Sequence, residues 1–310
     1  MDVLTNVNLC KLFFASITLP TIVLGALMNI FEPYLPVFIG QTVRYGKFAS
    51  KQESSLLKKL EVPKSSFRHF YITAALIYYP LVFYEVISVY VFNREVRDWF
   101  VTLLNFSCGH DRIATVSATR VFIAVVLMVL QVSRRFYDTH FVSVFSKRAT
   151  INLTHYLIGM VYYPAVALII LSEAPKFARN YTGKNAIQFS DVGLIEVISI
   201  VVFLWAWYHQ HVVTVILANL RKNKKGDVVD QSYKIPEGDW FKYLSSPHST
   251  AEIIMYTALT LLLFNSVSWW YVYAWILSNQ VETTLLSHWW YQSHFKNFPK
   301  NRKALIPFLY

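Results

Sequence analysis

The chain alternates long apolar stretches with short polar connections that are rich in lysine and arginine. An apolar stretch of about 20 residues can cross the hydrocarbon core of a bilayer as an α-helix. Five such stretches precede the last quarter of the chain, at residues 11–32, 70–92, 114–133, 153–172 and 192–217. The pattern predicts an all-α integral membrane protein with no soluble domain.

The apolar segment at 251–290 decides how many times the chain crosses the membrane. As one helix it would be about 60 Å long, roughly twice the thickness of the hydrocarbon core. We therefore expect it to fold back near Asn265 and Ser266 and to provide two spans. The prediction is about seven transmembrane helices, and residues 1–310 form a single membrane domain.

Composition supports a membrane location and changes how the net charge is interpreted. The chain has 55% hydrophobic and 15% charged residues, whereas about 25% of a typical soluble domain is charged. A formal charge of +11 would suggest nucleic acid as the partner of a soluble protein. Here the basic residues lie mainly between the apolar stretches, as the positive-inside rule requires. We expect the bilayer as partner and no nucleic acid.

The basic loops also set the expected orientation. The connection at 44–68 and the tail at 296–303 are both rich in lysine and arginine, so both should face the cytosol. With seven spans the N-terminus is lumenal and the C-terminus cytosolic, whereas six spans would put the basic tail in the lumen. The first span lacks a small-residue cleavage pattern, so we expect it to be retained. The two cysteines, Cys10 and Cys108, are expected to remain unpaired.

Chemically informative residues concentrate between positions 205 and 256, where one apolar stretch ends and another begins. The exit carries His209, Gln210 and His211, followed by the basic run RKNKK at 221–225. None of the 9 glycines forms a G-x-G pair, so the glycine-rich dinucleotide fingerprint is absent from the sequence. A nucleotide would have to be bound by basic and polar side chains instead.

Several motifs together resemble the steroid 5α-reductase family, and within it the polyprenol-reducing branch. They are VPKSSFRHFY at 62–71, QVSRRFY at 131–137, NLRKN at 219–223, IPEGDWF at 235–241 and YQSHFKNFPKNRKALIPF at 291–308. The resemblance implies an NADPH-dependent oxidoreductase of the endoplasmic reticulum membrane. It implies saturation of the α-isoprene unit of a long-chain polyprenoid, from polyprenal to dolichal or from polyprenol to dolichol, which supplies dolichol for protein N-glycosylation. No obligate protein partner and no metal are implied.

The resemblance also assigns cofactor-binding positions, and residues 205–310 become the NADPH-binding and catalytic region. The residues that match nucleotide-contacting positions or complete a cationic rim are Gln210, Arg221, Tyr233, Lys234, Asp239, His248, Glu252, Arg134, Arg135 and Arg302. Three of these depart from the steroid-reducing members. Lys234 replaces an arginine, and Gln210 and His248 each replace an asparagine. Lysine keeps the charge of arginine but cannot form its two-pronged hydrogen bonds.

Three residues are candidates for the reacting end of the site. His288 and Tyr291 match the family's tail motif, lie three positions apart on one helical face, and can each donate a proton or orient a carbonyl oxygen. The alternative for His288 is a packing histidine in an interfacial aromatic belt. Glu85 is an ionisable group within an apolar span, which makes it the third candidate.

The sequence leaves two other functions open. One is a 3-oxo-steroid or fatty enoyl reductase of the same family. Against a steroid, the third span has Val132 where steroid-reducing members have a tyrosine. The other is a non-enzymatic membrane lipid carrier, which composition alone supports.

The expected orientation can be tested with an epitope tag after Tyr310. In sealed microsomes the tag should be accessible to protease from the cytosolic side, because both ends of the 251–290 segment should face the cytosol. A protected tag would contradict the paired spans.

Overall fold

The structure is a computed structural model, and it describes residues 6–31, 34, 60–146, 149–179, 186–223, 225–229 and 232–306. Within these ranges the chain is mainly helical. The α-helices are α1 (Leu9–Phe31), α2 (Phe67–Thr73), α3 (Tyr79–Tyr90), α4 (Asp98–Cys108), α5 (Ala118–Tyr137), α6 (Leu153–Ser172), α7 (Leu194–Asn219), α8 (Pro247–Leu262) and α9 (Val267–His294). Most of the basic loop at 44–68 and the chain end at 307–310 lie outside the described residues.

Among the described residues, four helical segments are long and apolar enough to cross a membrane. They are Leu9–Met28, Lys64–Tyr90, Leu153–Ser172 and Leu194–Asn219. The apolar pattern thus identified a membrane protein correctly, and the coarse all-α class is confirmed. The count of seven is not established. Helix α8, for example, has 16 residues and is about 24 Å long, which is shorter than the hydrocarbon core.

The 251–290 segment folds back as expected. Helix α8 ends at Leu262 and α9 begins at Val267. The Ser266 side chain accepts a hydrogen bond from the Trp269 backbone N–H at 3.2 Å, which caps the start of α9. Trp269 is fully buried and its Nε1 donates to Thr260 Oγ1 at 2.9 Å, so the two helices are joined just beyond the turn.

Helix α4 lies where the sequence predicted only a connection at 93–113. Its 11 residues cannot span a bilayer, so the length criterion passed over it. The buried positions Phe100, Leu104 and Cys108 recur every four residues and form one apolar face. Cys108 and Cys10 of α1 are both buried free thiols, so the expectation that they remain unpaired is confirmed.

A short two-stranded antiparallel sheet is the exception to the all-helical prediction within the described residues. Strand β1 (Glu61–Pro63) pairs antiparallel with β2 (Thr150–Asn152), with Val62 opposite Ile151. Each strand directly precedes a helical segment that starts a span. The pairing therefore holds the first turns of the two segments together at one end of the bundle.

A buried carboxylate organises the opposite end. Glu173 follows α6 and accepts hydrogen bonds from the backbone N–H groups of Val267 at 3.1 Å and Ser268 at 2.9 Å. It also accepts from Thr115 Oγ1 at 2.9 Å. A carboxylate at a helix N-terminus satisfies orphan N–H groups and complements the helix dipole. Glu173 thus ties the turn before α9 to the end of α6.

Glu173→Ala should therefore lower the stability of the purified protein by about 1–2 kcal/mol, the range for losing a helix cap. Thermal unfolding in detergent would measure the loss. Glu95→Ala is the matched control, because Glu95 is an exposed carboxylate in the connection between α3 and α4. Equal melting temperatures for the two variants would contradict the capping role.

Candidate cofactor and active site

A cavity of about 360 Å³ lies between the end of α7, the loop that follows it, the start of α8 and the last turns of α9. Residues that the sequence singled out line much of it. The predicted residues in its wall are Arg221, Tyr233, Lys234, His248 and Tyr291. Further polar residues in the wall are Lys64, Ser143, Ser146, Thr214, Ser232, Ser245, Ser246, Thr283 and Ser287.

Three cations line this wall: Lys64, Arg221 and Lys234. Arg221 Nη1 donates to the Val144 carbonyl at 2.7 Å, and its guanidinium lies 5.6 Å from the centre of the Tyr233 ring. Lys234 Nζ donates to the Leu220 carbonyl at 3.1 Å. Burial raises the pKa of the Tyr233 hydroxyl, although Arg221 acts in the opposite direction. Tyr233 therefore remains a hydrogen-bond donor at neutral pH.

The loop between α7 and α8 is fixed by a tight turn and a hydrogen bond. Gly238 has φ 95° and Asp239 has φ 39°, a left-handed pair that glycine makes accessible. Asp239 receives a contact from His209 Nδ1 at 2.9 Å, and Trp240 stacks on His209 with ring centres 4.7 Å apart. Asp239 thus anchors the loop to α7 and is not part of the cavity wall.

Behind the cavity, Gln210 joins three helices. Its Nε2 donates to Glu252 Oε2 of α8 at 3.0 Å and to the His248 carbonyl at 2.9 Å. Its Oε1 accepts from Arg134 of α5 and from Gln131 Nε2 at 3.2 Å. Gln210 is completely buried. The amide therefore couples the cavity residue His248 to an interior network.

Both predicted arginines of α5 are fixed inside the bundle. Arg134 Nη1 pairs with Asp138 at 3.0 Å, so the buried guanidinium has a carboxylate partner. Arg135 Nη2 donates to the Tyr71 hydroxyl at 2.7 Å. Neither residue belongs to the cavity wall. Arg134 is connected to the wall indirectly, because it donates to Gln210, which in turn donates to the backbone of the wall residue His248.

His288 and Tyr291 occupy different positions relative to the cavity. Tyr291 lines it and stacks on Phe298, with ring centres 5.5 Å apart. His288 Nδ1 lies 2.6 Å from Ser245 Oγ, and its Nε2 lies 2.8 Å from Gln292 Nε2. Because Ser245 also donates to the Lys303 carbonyl at 3.2 Å, Nδ1 is the donor of the first pair. His288 reaches the cavity through Ser245.

Comparison with known proteins identifies the family. A sequence model described as "3-oxo-5-alpha-steroid 4-dehydrogenase" matches residues 177–310. A "Polyprenal reductase" of Drosophila melanogaster is 37% identical over 310 residues, covering 98% of this chain and 94% of the relative. The chain belongs to the polyprenal reductase family. A "Polyprenal reductase" of Homo sapiens is 35% identical over 273 residues, covering 86% of this chain and 85% of the relative. One of Caenorhabditis elegans is 31% identical over 278 residues, covering 89% of each chain.

Membership in the polyprenal reductase family confirms the resemblance drawn from the motifs and makes the chain a member of an oxidoreductase family. The matched region at 177–310 contains α7, α8, α9 and the loop between the first two. These elements supply most of the cavity wall.

The donor groups around the cavity fit an anionic nucleotide. Ser246 Oγ lines the cavity, and within the described residues it has no hydrogen-bond partner. Arg302 is not in the cavity wall. It is buried against Phe298, which stacks on the cavity residue Tyr291, and its Nη1 is likewise unpartnered in the described part of the chain. Burial lowers the pKa of the Arg302 guanidinium, while Glu237 acts in the opposite direction. A buried donor without an acceptor is costly, and a phosphate oxygen would relieve that cost.

Glu85 lies apart from the other candidates. Its carboxylate accepts from Arg97 Nε at 2.7 Å and from the Arg97 backbone N–H at 3.0 Å. Tyr71 lies near the cavity end of the same helical segment, where its hydroxyl bonds to Arg135. Glu85 comes 14 residues later, which places it about 21 Å further along the helix. Glu85 is therefore paired with Arg97 and does not line the cavity.

Sequence reasoning missed Lys64, Thr214, Ser245, Ser246 and Ser287 as cavity residues. Lys64 lies in the VPKSSFRHFY motif and was therefore visible in the sequence. The serines and the threonine gave no signal, because hydroxyl residues are common and only the folded chain brings these together.

Gln210→Ala should destabilise the protein by about 1–3 kcal/mol, because Arg134 and Glu252 would each lose a buried partner. Thermal unfolding would measure the change. Gln292→Ala is the matched control, since this amide is exposed. If both variants melt like the unmodified protein, the network does not hold the three helices together.

Proposed function

We propose that this chain is an NADPH-dependent reductase of the endoplasmic reticulum membrane that saturates the α-isoprene double bond of polyprenal to give dolichal. The observation that carries the proposal is the cavity itself. Arg221, Lys234 and Lys64 give its wall positive charge, and it adjoins a bundle of apolar helices. The relatives named polyprenal reductase supply the substrate class, and dolichol for protein N-glycosylation is the expected use of the product.

Different residues at the cavity would contact different groups of the cofactor. Arg221 and Lys234 would hold phosphate groups, since charged hydrogen bonds to phosphate are short and strong. Ser246 and Arg302 supply further donors nearby. A positively charged wall favours the extra 2′-phosphate of NADPH over NADH. When bound, the cofactor supplies a hydride.

The reaction balances most simply for the aldehyde. The β-carbon of the conjugated aldehyde gains the hydride, the double-bond electrons move toward the carbonyl oxygen, and the α-carbon then gains a proton. One aldehyde, one NADPH and one proton give the saturated aldehyde and NADP⁺. The alcohol has an isolated double bond with no carbonyl oxygen to accept the charge. We therefore favour polyprenal over polyprenol as the substrate.

The protein's residues orient the reacting groups. His288 holds Ser245 at the cavity wall, and Tyr291 presents its ring there, so both act close to the bound cofactor. The long polyprenoid tail would remain among the apolar helices and the lipid. Val132 is fully buried and offers no hydroxyl in the third span, which disfavours a steroid ketone in the position used by steroid-reducing members.

The test uses purified protein with polyprenal and polyprenol offered separately, each with NADPH or NADH. Arg221→Ala should weaken NADPH binding about 10–150-fold, equivalent to about 1.5–3 kcal/mol for a charged hydrogen bond. Binding is measured by thermal stabilisation, which increases with ligand affinity. Lys300→Ala is the control, because Lys300 is an exposed cation of the tail.

Three outcomes would count against the proposal. Equal stabilisation by NADPH and NADH would remove the role of the charged wall. Faster reduction of polyprenol than of polyprenal would contradict the conjugated mechanism. Stabilisation by neither cofactor would favour a lipid carrier over a reductase.

A further inference from the structure

A cluster of tyrosines occupies the interior of the bundle next to the Gln210 network. Its members come from three helical segments and are all buried: Tyr71, Tyr79, Tyr162, Tyr163 and Tyr256. A hydroxyl in an apolar interior costs free energy unless it is hydrogen-bonded. Polar side chains inside a membrane-spanning bundle commonly mark functional positions. The hydroxyls of this cluster are therefore expected to have hydrogen-bond partners.

The hydroxyls of Tyr71, Tyr162 and Tyr256 have hydrogen-bond partners within the protein. The Tyr71 hydroxyl accepts from Arg135, and the Tyr162 hydroxyl donates to the Tyr256 hydroxyl at 2.6 Å. Tyr79 differs from them. Its side chain is completely buried, yet within the described residues its hydroxyl has no hydrogen-bond partner. A buried hydroxyl normally has a hydrogen-bond partner, and the described residues do not provide one for Tyr79.

The backbone before Tyr79 is built to place it there. Residues Ala74–Tyr78 form a π-helical turn between α2 and α3. Two turns, one α-helical and one π-helical, take about 8 residues, so Tyr71 and Tyr79 lie on one face of the segment. In an uninterrupted α-helix Tyr79 would be rotated about 80° further. Single π-turns are rare and frequently occur at functional sites.

The position of Tyr79 relative to the cavity suits a reacting group. Along α8, His248, Glu252 and Tyr256 recur every four residues on one face. His248 lines the cavity, and the Tyr256 hydroxyl accepts from Tyr162. Tyr162 packs edge-on against Tyr163, whose ring centre lies 6.5 Å from that of Tyr79. The tyrosine cluster thus begins about 12 Å, or two helical turns, deeper than the cavity. A cofactor entering from the cavity and a lipid entering from the bilayer would meet between these points.

We propose that the Tyr79 hydroxyl donates a hydrogen bond to the carbonyl oxygen of polyprenal, which anchors the head of the lipid and stabilises the negative charge that develops on that oxygen. This inference rests on the proposed function. Tyr79 keeps its proton throughout. The hydride and its two electrons come from NADPH to the β-carbon, and the proton that reaches the α-carbon comes from water.

The test compares two tyrosines of α3. Tyr79→Phe removes only the unpartnered hydroxyl, so it should leave thermal stability unchanged or slightly raised. Its kcat/KM for polyprenal should fall about 10²–10³-fold, the range for losing one donor to a developing oxyanion. Tyr90→Phe is the matched control. Tyr90 donates to the Pro175 carbonyl at 2.9 Å, so this variant should lose stability and keep kcat/KM.

A second measurement needs no turnover. Farnesal, a short isoprenoid aldehyde, should raise the melting temperature of the unmodified protein and of Tyr90→Phe, and the rise should be absent or much smaller for Tyr79→Phe. A Tyr79→Phe variant that retains both kcat/KM and the farnesal shift would overturn the proposal. If the unmodified protein fails to reduce polyprenal at all, the proposed function fails first, and the two failures are thereby distinguished.

Discussion

A polar group that is buried in an apolar bundle must find a partner within the protein, and in this structure Gln210 meets that constraint for three helices at once. Its single amide accepts from Arg134 and donates to Glu252 and to the His248 backbone. Without this amide, Arg134 and Glu252 would each lose a buried hydrogen bond, at a cost of about 1–3 kcal/mol. The relative positions of α5, α7 and α8 therefore depend on this contact, and the cavity forms at its edge.

The same constraint gives buried carboxylates and cavity cations different kinds of partner. Away from the cavity, buried carboxylates have charged or hydrogen-bonding partners. Glu85 pairs with Arg97, Glu196 pairs with Arg120 at 2.6 Å, and Glu173 caps α9. In the cavity wall the cations bond mainly to carbonyl oxygens, which carry no full negative charge. Arg221 bonds to Val144 in this way, so its positive charge remains available to an anion.

The features that could be predicted from the sequence are those encoded by residues close together along the chain. Apolar length gave the main helices, and the excess length of 251–290 gave the break before Ser266. Motifs spread over the chain gave the family. Helix α4 was missed because 11 residues fall below the length of a span. The π-turn before Tyr79 left one trace, Pro80, whose missing N–H disturbs the helix ladder.

The candidate site was predictable only in part for the same reason. Arg221, Tyr233, Lys234, His248 and Tyr291 belong to recognisable motifs, and all of them line the cavity. The indirect contact of His288 through Ser245 depends on how the tail returns to α8, which no local pattern encodes. Glu85 met the criterion of an ionisable group in an apolar span. That criterion identifies a carboxylate in need of a partner, and Arg97, 12 positions later, provides it.

The choice of side chain at the reacting end follows from the low polarity of the bundle. A carboxylate or an ammonium placed there would need a counter-ion, and the pair would compete with the substrate for the same space. A phenol carries no charge, so Tyr79 can be buried without one. Yet it offers a donor whose bond to a developing oxyanion is stronger in a medium of low dielectric than in water. In the proposed reaction, neutral donors inside the bundle would face the uncharged lipid head, and the cations of the cavity wall would face the anionic cofactor.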